Sequence, residues 1–188
     1  MEDNVYVTPS NIKDALVEAG ITLLEETGSP DLGLREIARR AGVSHGAPRR
    51  WFPTHKALLA AIAAAGLRDL EAELHSDRTD PVEQILAFAD AYIDFAVRRP
   101  AMFTLMFRHD LLEGSGADLR EVSRPLFIRL VTLIERLESD HDATLSAAAL
   151  WSGLHGIAVL APTGALGLTV PDFDSRTLIR HMVSTELD

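Results

Sequence analysis

The sequence predicts an all-α protein of about nine helices, and three observations lead there. Apolar residues recur at three- and four-residue intervals in one segment after another. Helix-start and helix-stop residues bracket those segments. No stretch alternates polar and apolar residues for the length of a strand, and there is no repeat or low-complexity tract. The 188 residues are enough for one large domain or two small ones.

The first helix opens at Thr8-Pro9, a cap followed by a proline at the first helical position. Ile12, Leu16, Ala19 and Leu23 make one apolar stripe, and Gly28-Ser29-Pro30 stops it. Leu34 to Leu58, LREIARRAGVSHGAPRRWFPTHKAL, then reads as two short helices joined by a tight turn. Ile37, Ala38 and Ala41 share a face. Gly42 falls where the first of these helices ends, Val43 plugs the angle, and Ser44 is the expected N-cap of the second. A helix, a glycine-containing turn and a second helix form the helix-turn-helix pattern. A longer helix follows from about His55 to Leu74, with Leu58, Leu59, Ile62, Ala65 and Leu70 inward.

Asp80-Pro81-Val82-Glu83 has the grammar of a helix start, and the helix runs over about 81–98. Val82, Ile85, Ala89 and Tyr92 make one stripe and Phe88, Ala91 and Phe95 another, so it is expected between two buried surfaces. Pro100 opens a short apolar helix that ends at Arg108-His109-Asp110, and Glu113–Asp118 is a loop. Glu121 to Ser139 is amphipathic through Leu126, Leu130, Leu133 and Leu137. Asp140 or Asp142 caps a helix inside Ala143–Pro171, a run without formal charge that Pro162 and Gly164 terminate or bend. That run is long enough to span a membrane. Its serines, His155 and glycines, and the lack of a positive flank, favour a buried helix of a soluble protein. The last helix, roughly Phe173 to Glu186, carries Leu178, Ile179, Met182 and Val183.

Composition narrows the function. Apolar residues make up 47% and charged residues 24%, as in soluble globular proteins. Cysteine is absent, which excludes disulfides, thiol catalysis and cysteine-held metal and suits a reducing cytoplasm. The opening MEDNVYVTPS has no apolar core, so no secretory leader is expected. No Gly-x-Ser-x-Gly, HExxH or phosphate-cradling glycine loop is present, so no enzyme, cofactor or metal site is expected. His109-Asp110 and His141-Asp142 read as helix-end residues.

Charge points to a polyanion. Arg35, Arg39, Arg40, Arg49, Arg50 and Lys56 stand against Glu36 alone, giving +5 in a chain of net charge −10, so the remainder carries −15. An acidic protein with one compact basic patch meets polyphosphate at one place.

Ile37-Ala38, Ala41-Gly42-Val43, Ser44-His45-Gly46, Phe52 and Leu58 together resemble the DNA-binding headpiece of the TetR family of bacterial transcriptional regulators. The resemblance covers roughly residues 9 to 60. It implies a headpiece over 9–60 and a ligand-binding and dimerisation domain over 61–188. Three departures stand out: Arg49 replaces the family's usual tyrosine, His55 its usual lysine (Lys56 follows), and Pro48 sits four residues after Ser44, where its ring opposes the expected cap's carbonyl. By this resemblance Arg49, His55 and Lys56 contact phosphate, together with the backbone of the helix start at Ser44, Gly46 and Ala47. His45, Arg50 and Trp51 read base edges, with arginine favouring guanine.

In the carboxy-terminal half, the TetR-like pattern implies a homodimer through the last two helices. Ala149, Gly153, Gly156, Leu160, Leu178 and Met182 are the expected interface. Trp151 to Gly156 spells Trp-x-x-x-His-Gly, a string similar to that of a TetR-like subgroup. With Phe88, Tyr92, Phe95, Met102, Phe103 and Met106, the pair Trp151 and His155 is either the wall of a cavity for a small, largely apolar effector or plain core. The expected function is a ligand-responsive regulator, most simply a repressor of a palindromic double-stranded operator. The alternative is a dimeric DNA-binding protein without an effector.

Overall fold

The structure is a computed structural model that describes residues 9–116, 118–137, 141–169 and 174–187. Thr8, Ser139, Asp140 and Phe173, which the sequence assigns to helix ends, lie outside the described residues. The helices are α1 (Pro9–Thr27), α2 (Leu34–Arg40), α3 (Ala47–Trp51), α4 (His55–Glu73), α5 (Pro81–Arg98), α6 (Pro100–Met106), α7 (His109–Leu112), α8 (Arg120–Glu135), α9 (Ala143–Leu160), α10 (Ala165–Thr169) and α11 (Ser175–Leu187). A 3₁₀ turn over Ala161–Thr163 follows α9. No strand occurs among the described residues. The sequence pattern misses α7 and α10 because four and five residues are too few to show a period.

The described residues form two compact units, 9–66 with 101–116, and 67–100 with those from 118 onward. The division falls inside α4 at Gly66, so α6 and α7 cluster with the amino-terminal helices. In the first unit α1 packs on α2 and α3. Leu16, Leu24, Ile37, Leu58 and Ile62 are fully buried there, each contributing about 1.5–3 kcal/mol of transfer free energy. Two glycines permit close approach. A Cβ on Gly20 would lie 2.3 Å from Ile62 Cδ1, and one on Gly66 would lie 2.5 Å from Met102 Sδ and 2.9 Å from Met106 Sδ.

In the second unit α9 packs against α5, α8 and α11. Asp80 caps α5 by accepting from the Glu83 N–H at 2.9 Å, with Pro81 just inside. Ile85, Phe88, Ala89, Tyr92, Ile93, Phe95 and Ala96 are buried on α5. Val82, in the first turn, is exposed and Ala91 is half-buried, so the two expected stripes are narrower than the sequence suggests. Asp142 caps α9 through bonds from the Thr144 and Leu145 N–H groups at 2.9 and 3.1 Å. Pro162 and the left-handed Gly164 (φ 71°) end it. By length and composition alone, Ala143–Thr163 is a possible membrane span, with 33% of its apolar window buried. Ala147, Leu150, Leu154 and Ile157 are nonetheless core residues of the second unit.

Candidate nucleic-acid interface and effector core

The helix-turn-helix is built by local hydrogen bonding. Gly42 takes φ 68°, and its N–H bonds the Arg39 carbonyl at 3.2 Å while the Val43 N–H reaches the Ala38 carbonyl at 3.0 Å. That pair of bonds is the Schellman stop, which satisfies carbonyls that the end of α2 leaves open. The sequence expectation fails at the next step: Ser44 does not cap the second helix. Gly46 is the N-cap residue of α3, without a side-chain bond, and Ala47 and Pro48 form its first turn.

Proline is the reason. A helix starting at Ser44 needs a donor four residues on, and Pro48 has none. The chain instead makes a turn in which the Ala47 N–H bonds the Ser44 carbonyl at 2.9 Å, and α3 begins where a proline costs nothing. What remains is a five-residue second helix, pinned by two buried residues, Pro48 and Phe52. The Lys13 ammonium of α1 lies 6.0 Å from the Phe52 ring centroid.

Ser44, His45, Gly46, Arg49, Arg50, His55 and Lys56 are exposed, and Ala47 and Trp51 are half-buried. All nine lie in the first unit. Thr54 starts α4 by accepting from the Ala57 N–H at 3.0 Å. Lys56 Nζ donates to the Glu113 carbonyl at 3.3 Å. Arg39 binds Glu36 through Nε at 3.1 Å and Nη2 at 2.5 Å. That hydrogen bond holds the Glu36 carboxyl below the usual carboxylate range. Arg40 pairs with Glu26 of α1. Sequence reasoning missed Glu26, because a partner fourteen residues away leaves no local pattern.

The eight residues expected around an effector divide. Phe88, Tyr92, Phe95, Trp151 and His155 belong to the second unit, and Met102, Phe103 and Met106 to the first. Met102 and Met106 cover Gly66, and Phe103 packs on Phe107 with ring centroids 4.9 Å apart. In the second unit Phe88 stacks on Tyr92 (6.4 Å, 7°), and Trp151 stacks on His155 (5.6 Å, 29°). The Tyr92 hydroxyl lies 3.0 Å from His155 Nδ1. Burial pushes the Tyr92 hydroxyl well above its usual pKa, opposed by a hydrogen bond with Trp151. Burial also lowers the pKa of His155. An indole N–H only donates, so in its hydrogen bond with Tyr92 the Trp151 side chain is the donor and the Tyr92 oxygen the acceptor. Phe95 instead faces the Arg99 guanidinium, 5.2 Å from its ring centroid.

Of the residues expected at a dimer interface, Gly153 and Met182 meet within one chain, Met182 Cε lying 2.1 Å from where a Gly153 Cβ would be. Leu178 and Met182 are half-buried, and Ala149 and Leu160 are exposed. A Cβ on Gly156 would meet nothing within 4 Å. Leu145 (69% exposed), Ser152 and Val159 (50%) continue that open face of α9. Between α5 and α11 lies a cleft of about 150 Å³ whose walls include Arg78, Glu83, Asp90, Arg176 and Arg180. Its charges make it unsuited to an apolar ligand.

Residues 85–185 match the tetracyclin repressor-like C-terminal domain. No curated protein matches the chain. Among solved structures, a protein with unknown function from Rhodococcus sp. RHA1 is 26% identical with a TM-score of 0.82, over 99% of this chain and 97% of that one. The fatty acid degradation regulator FadR from Bacillus halodurans is 16% identical (TM-score 0.69, 96% and 95% covered). BioQ, solved with its natural double-stranded DNA operator, is 22% identical (TM-score 0.69, 93% and 97% covered). The last two likenesses are likenesses of fold.

Proposed function

The chain belongs to the TetR family of DNA-binding transcriptional regulators, and from that premise we propose that it is a homodimeric repressor released from a palindromic operator by a small, largely apolar effector. The observation that carries the DNA half of the reading is the placement of Arg49 and Arg50. Both are exposed on a helix whose other anchors, Pro48 and Phe52, are buried. Arg49, His55, Lys56 and the backbone from Ser44 to Ala47 meet phosphate; His45, Arg50 and Trp51 meet base edges. BioQ, of the same fold, was solved on its own duplex operator, which supports a duplex as the ligand here.

The open face of α9 supports the dimer. Leu145, Ala149, Ser152, Gly156, Val159 and Leu160 follow helical spacing and carry no charge, and small residues admit a second helix closely. Two-fold pairing sets two recognition helices about 34–36 Å apart, one turn of duplex. The aromatic cluster of Phe88, Tyr92, Trp151 and His155, with Phe95 on the same helix, supports an apolar effector held by one polar handle. A coupling of about 1–3 kcal/mol between effector and operator suffices for release.

Selection of binding sites from a random duplex pool tests the reading. The expected product is a palindrome with G·C in each half-site and centres one helical turn apart. Arg49→Ala should then weaken all duplexes and flatten the salt slope, while Arg50→Ala should relax the choice of base, at about 1–3 kcal/mol. Retention of full affinity and salt slope by both variants would remove the helix-turn-helix assignment. Val159→Arg should give monomers in sedimentation; a wild-type protein that is already monomeric refutes the dimer.

A further inference from the structure

The basic patch that recommends this face for DNA is partly neutralised from within. Arg40, at the end of α2, pairs with Glu26 of α1, and Arg39 is held by Glu36 one turn earlier, at 3.1 and 2.5 Å. Among the described residues Arg35, Arg49 and Arg50 make no ion pair. The first helix of a helix-turn-helix crosses the phosphate backbone, so the cations of α2 lie on an element within reach of phosphates. A phosphate seeking Arg39 or Arg40 must compete with a carboxylate already bound through the same guanidinium edge.

We propose that Glu26 and Glu36 hold Arg40 and Arg39 off the DNA backbone, so that these two carboxylates limit the sequence-independent affinity of the headpiece. The proposal rests on the DNA-binding reading above. Its physical basis is counterion release. An unpaired cation that neutralises a phosphate frees condensed counterions and contributes about 0.9 to the slope of log affinity against log salt. A cation matched to a carboxylate brings no net charge to the duplex and frees none. Arg49 and Lys56 then supply most of the salt-sensitive binding, and a larger share of the remainder falls to base-edge contacts, which carry the sequence information that phosphate contacts lack. Exposed ion pairs add little to stability, so holding the fold together is a poor account of why the pairs are there.

The test uses the full chain and a short, fluorescently labelled duplex of mixed sequence, followed by anisotropy over a series of KCl concentrations. Glu26→Gln and Glu36→Gln should each bind it more tightly, by roughly five- to tenfold near 0.1 M salt, with a salt slope steeper by about one per freed arginine. Circular dichroism melts check that each variant is folded. Combining Glu26→Gln with Arg40→Ala should abolish the gain that Glu26→Gln produces alone. A gain that survives in the double variant overturns the proposal, because it then comes from removing a negative charge at a distance. Unchanged affinity and slope in both glutamine variants, with Arg49→Ala weakening the same duplex, overturn it while leaving the DNA-binding reading intact. A wild-type protein that fails to bind this duplex even at low salt overturns both.

Discussion

Replacing Gly66 by alanine is expected to destabilise the protein, although alanine is the better helix former. The added Cβ would sit 2.5 Å from Met102 Sδ, 2.7 Å from Met102 Cγ and 2.9 Å from Met106 Sδ, well inside the roughly 3.5–4.0 Å of an ordinary contact. Met102 is fully buried and Met106 is 4% exposed, so neither thioether has solvent to swing into. Overpacking of this kind costs about 1–3 kcal/mol, and exchanging glycine for alanine inside a helix returns about 1 kcal/mol. The net loss is on the order of 1 kcal/mol, or about 2–4 °C in the unfolding midpoint of a chain this size. Thermal unfolding of wild type, Gly66→Ala, Met102→Ala and the double variant measures it. Met102→Ala alone should cost about 2–5 kcal/mol. In the double variant the new methyl occupies vacated space, so its loss should be smaller than the sum of the two. A Gly66→Ala protein as stable as wild type, or a strictly additive pair, would refute the claim that the two thioethers fill that space.

The opposite sign is expected for Gly153→Ala. Its Cβ would strike Met182 Cε at 2.1 Å, but that atom is the free end of a half-buried side chain. The methyl rotates away and the helix-propensity gain of about 0.5–1 kcal/mol survives as a higher midpoint. Asp142→Ala should cost about 1 kcal/mol by releasing the Thr144 and Leu145 N–H groups, read by denaturant unfolding. His155 has a folded pKa depressed below 6.5 by burial, so the unfolded chain takes up the proton first. Its contribution to stability is complete above that value and declines as pH falls below it. Midpoints measured from neutral to mildly acidic pH should therefore drop less steeply in His155→Gln than in wild type, and parallel curves would refute the assignment.

Much of the helix-turn-helix was legible because it is written in short intervals. Gly42 follows Ala38 and Arg39 closely enough that the stop of α2 and its bonds are decided within a few residues. Asp80 with Glu83 and Asp142 with Thr144 are equally local. Ser44 misled because its chemistry favours a cap while the veto lies at Pro48, and the missing N–H outweighs a hydroxyl. The candidate effector cluster was legible only as an inventory of aromatic residues. That Tyr92 meets His155 across 63 positions follows from how α5 lies on α9.

By itself, the sequence determined which of the longer segments are helices, where most of them start and stop, and where positive charge accumulates, since each depends on neighbours within about two turns. Only the tertiary structure decided that Glu26 rather than some other acid answers Arg40, that Met182 closes on Gly153, and that α6 clusters with residues 9–66. Periodicity marks which side of a helix must be covered. It carries no information on which of many chemically equivalent surfaces does the covering, because that choice is made by shape and volume among residues far apart along the chain.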